Sequence, residues 1–261
     1  MKRIILYRFH NKIEICKNRV ELLRKFNPGV PVYGLYGGKE DDFEFYALNL
    51  ASDFDDIYCI RNKSDEWKWK NSDLAIRLWH KDFGHSIDYD MVHIMEWDLV
   101  LLSSLDNLYG HIPKDTLGIT GLIPLSKIEK KWFWIRDEKQ NAQWNKLREF
   151  AKQNLNFEGE GYGSLGPGLC YPKSFLEAYN KIEVPDLCND ELRLPFMAKA
   201  LGFEVMDTGF FKKWFSKKEL KYFNCNNIEI SLEAMLNQFN KKKGRRVFHP
   251  FRELIDPKMF S

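Results

Sequence analysis

Residues 92–102, VHIMEWDLVLL, place two carboxylates, Glu96 and Asp98, inside an apolar run. Burying an unpaired charge is costly enough to drive the group toward its neutral form. Side chains at i and i+2 of an extended chain point the same way, so the two carboxylates can converge on one cation. Hard divalent ions such as Mg²⁺ or Mn²⁺ prefer oxygen ligands of this kind and often share them with a diphosphate. The cation then supplies the counter-charge. The alternative is an exposed strand end at which Glu96 and Asp98 pair with Lys or Arg.

Two other segments carry residue types suited to the same chemistry. In GRRVFHPFRE, His249 follows a short apolar run and Arg252 comes three residues later. A neutral imidazole ligates Mn²⁺, and a guanidinium grips phosphate oxygens in a bidentate fashion. The alternative for His249 is a turn before Pro250, packed on Phe248 and Phe251. Asn189-Asp190-Glu191-Leu192 opens a helical pattern. A carboxylate at a helix start is held by free backbone N–H groups and the helix dipole, and a base must reach the hydroxyl it activates. A plain Asn/Asp N-cap is the alternative.

The elements that must position these residues alternate. Arg3 to Tyr7 reads as a strand, and Ile13, Cys16, Val20 and Leu23 mark one face of a helix that Asn27-Pro28-Gly29 stops. Pro31 to Tyr36 reads as a second strand, so the start is a βαβ unit with a parallel sheet. Asp56 to Ile60 is a third strand. Asp73 to Phe83 is a helix, with Asn71 to Asp73 as its N-cap cluster. Met91 to Met95 is a central strand covered on both faces, which places Glu96-Trp97-Asp98 at the sheet edge where ligands bind in open α/β folds. Further on, Thr116 to Leu122 is a strand, Ala142 to Leu155 a helix and 158–168 a glycine-rich loop. Leu169 to Tyr171 is then a short strand and Lys173 to Lys181 a helix. Asp190 to Leu201 is a helix ended by Gly202, Phe203 to Met206 a strand, and Leu232 to Phe239 a last helix. Residues 123–136 carry no clear pattern.

The strand with its acidic end, DMVHIMEWDLVLLSSLDNLYG, resembles the DxD element of the nucleotide-sugar-dependent glycosyltransferases of the GT-A fold, with Glu96 in place of the first Asp. The late His249 and the acidic helix start at Asp190 are similar to that family's other recurring elements. The resemblance implies one α/β domain over residues 1–261 with a mostly parallel, helix-flanked central sheet. Residues 1–98 would form the nucleotide-binding half, and 99–261 the acceptor-binding half with the C-terminal metal and diphosphate segment. It implies Mn²⁺- or Mg²⁺-dependent transfer, hexosyltransferase-like, from a UDP- or GDP-type nucleoside-diphosphate sugar to a hydroxyl acceptor such as a glycan. By position it assigns Asp98, Glu96 and His249 to the metal and Arg252 to the diphosphate. Tyr7, Arg8, His10, Asp73 and Arg77 would contact the nucleotide. Asp190 would be the base, with Glu191 as the alternative. Glu96 departs from the motif, and its longer side chain could serve the metal, a water on it, or the ribose. A sugar-phosphate nucleotidyltransferase stays open, although the segment after the first strand, YRFHNK, lacks the glycine-rich loop expected of one. A catalytically inactive GT-A-like binding module also stays open.

Composition narrows the classes further. With 40 basic and 37 acidic residues the net charge is +3, which gives no electrostatic case for nucleic acid or membranes. The five cysteines show no CxxC spacing and read as reduced, mostly buried thiols of a cytoplasmic protein. No apolar run is long enough to span a membrane, and the N-terminal apolar run is too short for a signal peptide. GYGSLG at 161–166 matches GxGxxG, but Pro167 and Gly168 follow it, so a flexible acceptor-side loop is the expectation. A single Asp207-Thr208-Gly209 is weak support for an aspartic protease in an α/β chain. The run Lys241 to Arg246 reads as a solvated basic segment or one beside a diphosphate.

Overall fold

Alternation along the first strand sets the architecture. In β1 (Arg3–Phe9), Ile4 and Leu6 enter one apolar cluster while Ile5, Tyr7 and Phe9 enter another, so the strand is buried on both faces. The computed structural model describes residues 1–260. After β1 come α1 (Ile13–Phe26), β2 (Val32–Tyr36), α2 (Phe43–Leu50), β3 (Asp56–Cys59), α3 (Asp65–Lys70), α4 (Ser72–Asp82) and β4 (Met91–Glu96). The chain continues through β5 (Val100–Leu101), α5 (Leu105–Tyr109), β6 (Thr116–Pro124), α6 (Phe133–Arg136), α7 (Glu138–Leu155) and β7 (Tyr162–Pro172). It closes with α8 (Lys173–Asn180), α9 (Asp190–Ala200), β8 (Glu204–Asp207), α10 (Leu232–Phe239) and β9 (Val247–Phe248).

The central sheet has seven strands in the order β3-β2-β1-β4-β7-β6-β8. Pairings are parallel except those of β7, which runs against both β4 and β6. The α/β class with a mostly parallel, helix-flanked sheet is therefore observed. One face is covered by α4, α7, α8 and α9, through residues such as Trp79, Leu147, Phe175 and Phe196. The other is covered by α1, α2 and α5, through Cys16, Val20, Leu23, Leu50 and Tyr109. Each such fully buried large side chain contributes about 1.5–3 kcal/mol, more than helix propensity supplies per residue. A smaller apolar cluster (Val100, Met235, Phe248 and Phe251 among others) joins α10 to a two-stranded sheet of β5 and β9.

Two expectations are corrected. The glycine-rich segment 158–168 is not a flexible loop: from Tyr162 onward it is the first half of β7, which is much longer than the predicted Leu169–Tyr171 strand. Its glycines serve close approach. A Cβ on Gly163 would lie 2.5 Å from Ile128 Cδ1 and 3.1 Å from the Trp132 ring, so a side chain there would force these buried neighbours of β7 to shift. The predicted cap cluster holds in position but not in bonding: Asn71 stands at the N-cap of α4 without a side-chain cap bond. Its Oδ1 accepts from Arg193 Nη2 at 2.8 Å instead.

Candidate functional site

The parallel register sets Arg8 of β1 beside Glu96 of β4, both at the C-terminal ends of their strands. Alternation places them on the face of Ile4 and Leu6, the face that α9 covers. Arg8 Nη1 donates to Glu96 Oε1 at 2.6 Å, and both side chains are only partly exposed. The chain then turns. Leu99 N–H donates to the Glu96 carbonyl at 3.0 Å, so Trp97 and Asp98 lie in a turn rather than in an extended strand. The same-side rule for i and i+2 does not apply across that turn. Glu96 and Asp98 each have basic partners of their own.

Asp98 is buried, and its partners come from the far end of the chain. β5 pairs antiparallel with β9, Val100 opposite Phe248, and Phe251 N–H donates to the Asp98 carbonyl at 2.8 Å. That register brings His249 Nε2 to 3.3 Å from Asp98 Oδ1 and Arg252 Nε to 3.1 Å from Oδ2. Burial alone would raise the Asp98 carboxyl, but the hydrogen bond and charge of His249, with Arg252, hold it below the ordinary aspartate value. Arg252 also donates to Glu229 and Asn227, and its guanidinium lies over the Trp97 ring at 5.7 Å.

His249 Nδ1 sits 2.7 Å from the Asn224 carbonyl oxygen, which can only accept, so Nδ1 carries the proton of that bond. This leaves Nε2 directed at Asp98 Oδ1, an arrangement that needs either a second proton or a cation beside it. An imidazole whose outer nitrogen is anchored on a backbone carbonyl is the usual form of a metal-ligating histidine. Asp98 and His249 therefore fit a divalent ion that takes its other ligands from phosphate oxygens and water. Glu96, held by Arg8, does not join them. Among the described residues no three His, Cys, Asp or Glu side chains form a group that could hold a metal alone.

On the other side of Arg8 lies the start of α9, a helix buried almost all round. Asn189 caps it, its Oδ1 accepting from Glu191 N–H at 2.9 Å. Asp190 is buried, and its Oδ2 accepts from Ser72 N–H at 3.1 Å. Burial first and the Asp73 charge second raise its pKa, against Ser72, Arg8 and Arg193. Glu191 is half-buried, accepting from Trp134 Nε1 at 3.0 Å and from Gly166 N–H at 3.2 Å. Burial and the neighbouring Asp190 push it up to about 8. A Cβ on Gly166 would meet nothing within 4 Å, so this side of Glu191 borders open space.

The structure gathers Arg8, His10, Glu96, Asp98, Asp190, Glu191, His249 and Arg252 along one edge of the sheet. His10 rests on Trp97 edge to face at 5.4 Å. Desolvation lowers its pKa against the charges of Glu96 and Asp98. Three expected nucleotide contacts are engaged elsewhere. Tyr7 is fully buried and donates to the Trp97 carbonyl. Asp73 pairs with Arg193 and accepts from Tyr179 Oη inside the core. Arg77 donates to the carbonyls of Tyr179 and Ile182.

Sequence reasoning missed Trp134 and Cys225. Cys225 is exposed, yet the surrounding protein and then the charges of Glu191, Glu96, Asp98 and Asp190 raise its thiol well above the ordinary range. Four carboxylates of the sheet edge thus act on it electrostatically. Nothing in its sequence context signals this, because the fold-back of 222–230 onto 249–252 rests on contacts between segments some 25 residues apart, such as the bridge between Phe223 and His249. Two surface clefts of about 480 and 330 Å³ lie off this edge, near the ends of β6, and contain none of the gathered residues.

No family model matches the chain, and no curated protein matches it. Among solved structures it is similar to the galactosyltransferase LgtC in complex with donor and acceptor sugar analogues. The identity is 15%, over 79% of this chain and 74% of that one, with a TM-score of 0.42. It is also similar to an active-site mutant of LgtC, at 16% identity over 69% of this chain and 60% of that one, with a TM-score of 0.37.

Proposed function

We propose that this protein is a glycosyltransferase that takes its sugar from a nucleoside-diphosphate sugar of UDP or GDP type and passes it to a hydroxyl acceptor with the help of Mn²⁺ or Mg²⁺. The observation that carries the reading is the placement of Asp98 at the end of β4, between His249 Nε2 and Arg252 Nε. At the start of α9 stand two carboxylates of raised pKa, Asp190 and Glu191. One side of the edge suits a cation with a diphosphate, and the other suits proton removal from a hydroxyl.

Asp98 and His249 would hold the metal, which when bound stabilises charge on the departing diphosphate. Arg252 and Arg8 offer guanidinium groups to phosphate oxygens at the cost of their present carboxylate partners. His10 and Trp97 flank the nucleotide side. Glu191, beside the unfilled space at Gly166, accepts the acceptor's proton, while buried Asp190 raises its proton affinity by charge. That last role applies if the sugar is transferred with inversion.

The test is release of free nucleoside diphosphate from a panel of UDP- and GDP-sugars with Mn²⁺, Mg²⁺ or a chelator. The proposal expects at least one sugar to be turned over with metal and to stop with chelator. No release from any of them, or pyrophosphate formation from a nucleoside triphosphate and a sugar phosphate, would overturn it.

A further inference from the structure

Beside Glu191 lies an aromatic surface away from the metal side, with Trp134 at the border of the core. Trp69 of α3 is 67% exposed and Phe133 of α6 is 51% exposed. Trp134 stands between them, its ring centroid 6.4 Å from Trp69 and 5.2 Å from Phe133. Two elements some sixty residues apart thus bring three large rings together at the surface. Contiguous exposed apolar groups with a polar border mark binding sites more often than chance.

The local structure keeps these rings in place. Ser64 caps α3 by accepting from Trp67 N–H, and Trp67 Nε1 donates to Asp186 at 2.6 Å, which pins one side of this short helix. Trp69, two residues on, points about 200° around the helix and so faces outward. Trp134 is fixed by its indole N–H on Glu191 Oε2 at 3.0 Å. The rings therefore continue directly into the carboxylate, whose other oxygen is held by the Gly166 N–H with no side chain beside it.

We propose that Trp69, Phe133 and Trp134 form a platform for a pyranose ring of the acceptor, an inference that rests on the glycosyl-transfer reading above. A pyranose carries C–H groups on one face and hydroxyls around its rim. Aromatic faces are apolar with a negative quadrupole, which suits the C–H face. The carboxylate of Glu191 meets the rim, where a hydroxyl must come to be activated. A purely apolar ligand would bring no hydroxyl to that carboxylate, and a small polar one would not need the rings. The platform thus assigns the acceptor as a carbohydrate rather than a lipid alcohol or a protein hydroxyl.

Saturation-transfer NMR with methyl glycosides of glucose, galactose, mannose and N-acetylglucosamine, together with lactose and maltose, tests the inference. At least one of these sugars should bind the wild type saturably. The variant Trp69→Ala/Phe133→Ala, altered only at exposed rings, should bind it about tenfold more weakly. Binding of UDP or GDP with Mn²⁺ should stay unchanged in that variant. If no sugar binds the wild type, or the variant binds equally well, the platform is refuted. Loss of sugar binding in the variant of a protein that binds neither diphosphate would keep the platform and refute the donor reading. Diphosphate binding without sugar binding would do the reverse.

Discussion

At the scale of single residues, two carboxylates of the same sheet edge are tuned in opposite directions. Asp98 is held below its ordinary value by His249 and Arg252 despite burial, whereas Glu191 is pushed up to about 8 by burial and Asp190. A depressed carboxylate stays charged for a cation, and a raised one can take a proton near neutral pH. If Glu191 is the base, kcat should rise with pH along a limb set by Glu191. Asp190→Asn removes the neighbouring charge that raises Glu191, so the limb should move to lower pH. Glu191→Gln should lower kcat by about 100- to 10,000-fold while leaving diphosphate binding intact. A pH–rate profile with an unmoved limb in Asp190→Asn would take the base role away from Glu191.

At the scale of elements, the site depends on pieces of very different legibility. β4 and its acidic end could be read directly, because a strand buried on both faces needs a continuous apolar run and meets charge only where it ends. The start of α9 was equally plain from Asn189 and the carboxylates after it. β5 and β9, two residues each, show no periodicity, yet their pairing is what carries His249 and Arg252 to Asp98. Their partnership is a long-range event that a local pattern cannot contain. GYGSLG misled for a related reason. Glycine signals flexibility or close approach, and only the packing of Gly163 on Ile128 decides which. Gly163→Val should therefore destabilise the fold by about 1–3 kcal/mol in a denaturant titration, where a flexible loop would tolerate it.

Behind the same edge, Asp73 and Arg193 are both fully buried, and Arg193 also reaches Asn71 and the carbonyls of Leu187 and Cys188. Removing one member strands the other's charge. Asp73→Ala should cost about 3–5 kcal/mol in equilibrium unfolding. A loss below about 1 kcal/mol would show the pair to be solvated rather than structural. The family resemblance placed Asp73 and Arg77 on the nucleotide by their position in the helix after the third strand. Which way such side chains turn is decided by partners on α8 and α9, a hundred or more residues later.

At the scale of the whole molecule, one sheet joins the early and late parts of the chain. β1 to β4 come from residues 1–98, and β7, β6 and β8 extend the same sheet beyond β4. The site edge is therefore shared between them. Its protonation is also coupled to global stability. The Glu191 carboxyl has a higher pKa folded than its ordinary 4.5, so the folded state binds more protons between pH 4.5 and about 8. Its contribution is fully present below pH 4.5 and is lost as pH rises through about 8. Glu191→Gln should accordingly gain thermal midpoint relative to wild type as pH climbs through that window. A constant difference across it would mean that Glu191 is not raised. Asp98 acts with the opposite sign, its contribution being lost as the pH falls below its ordinary 3.8. Among the described residues no helix is long and apolar enough to cross a membrane.

The central claim is that the end of β4 binds a metal together with a nucleoside diphosphate through Asp98. Isothermal titration calorimetry of UDP and GDP, with Mn²⁺ and with a chelator, tests it on the wild type and on Asp98→Asn. The account predicts saturable binding of at least one diphosphate that needs Mn²⁺ in the wild type and is weakened at least about tenfold in a folded Asp98→Asn protein. Binding that ignores both the metal and the substitution, or no binding at all, would contradict it.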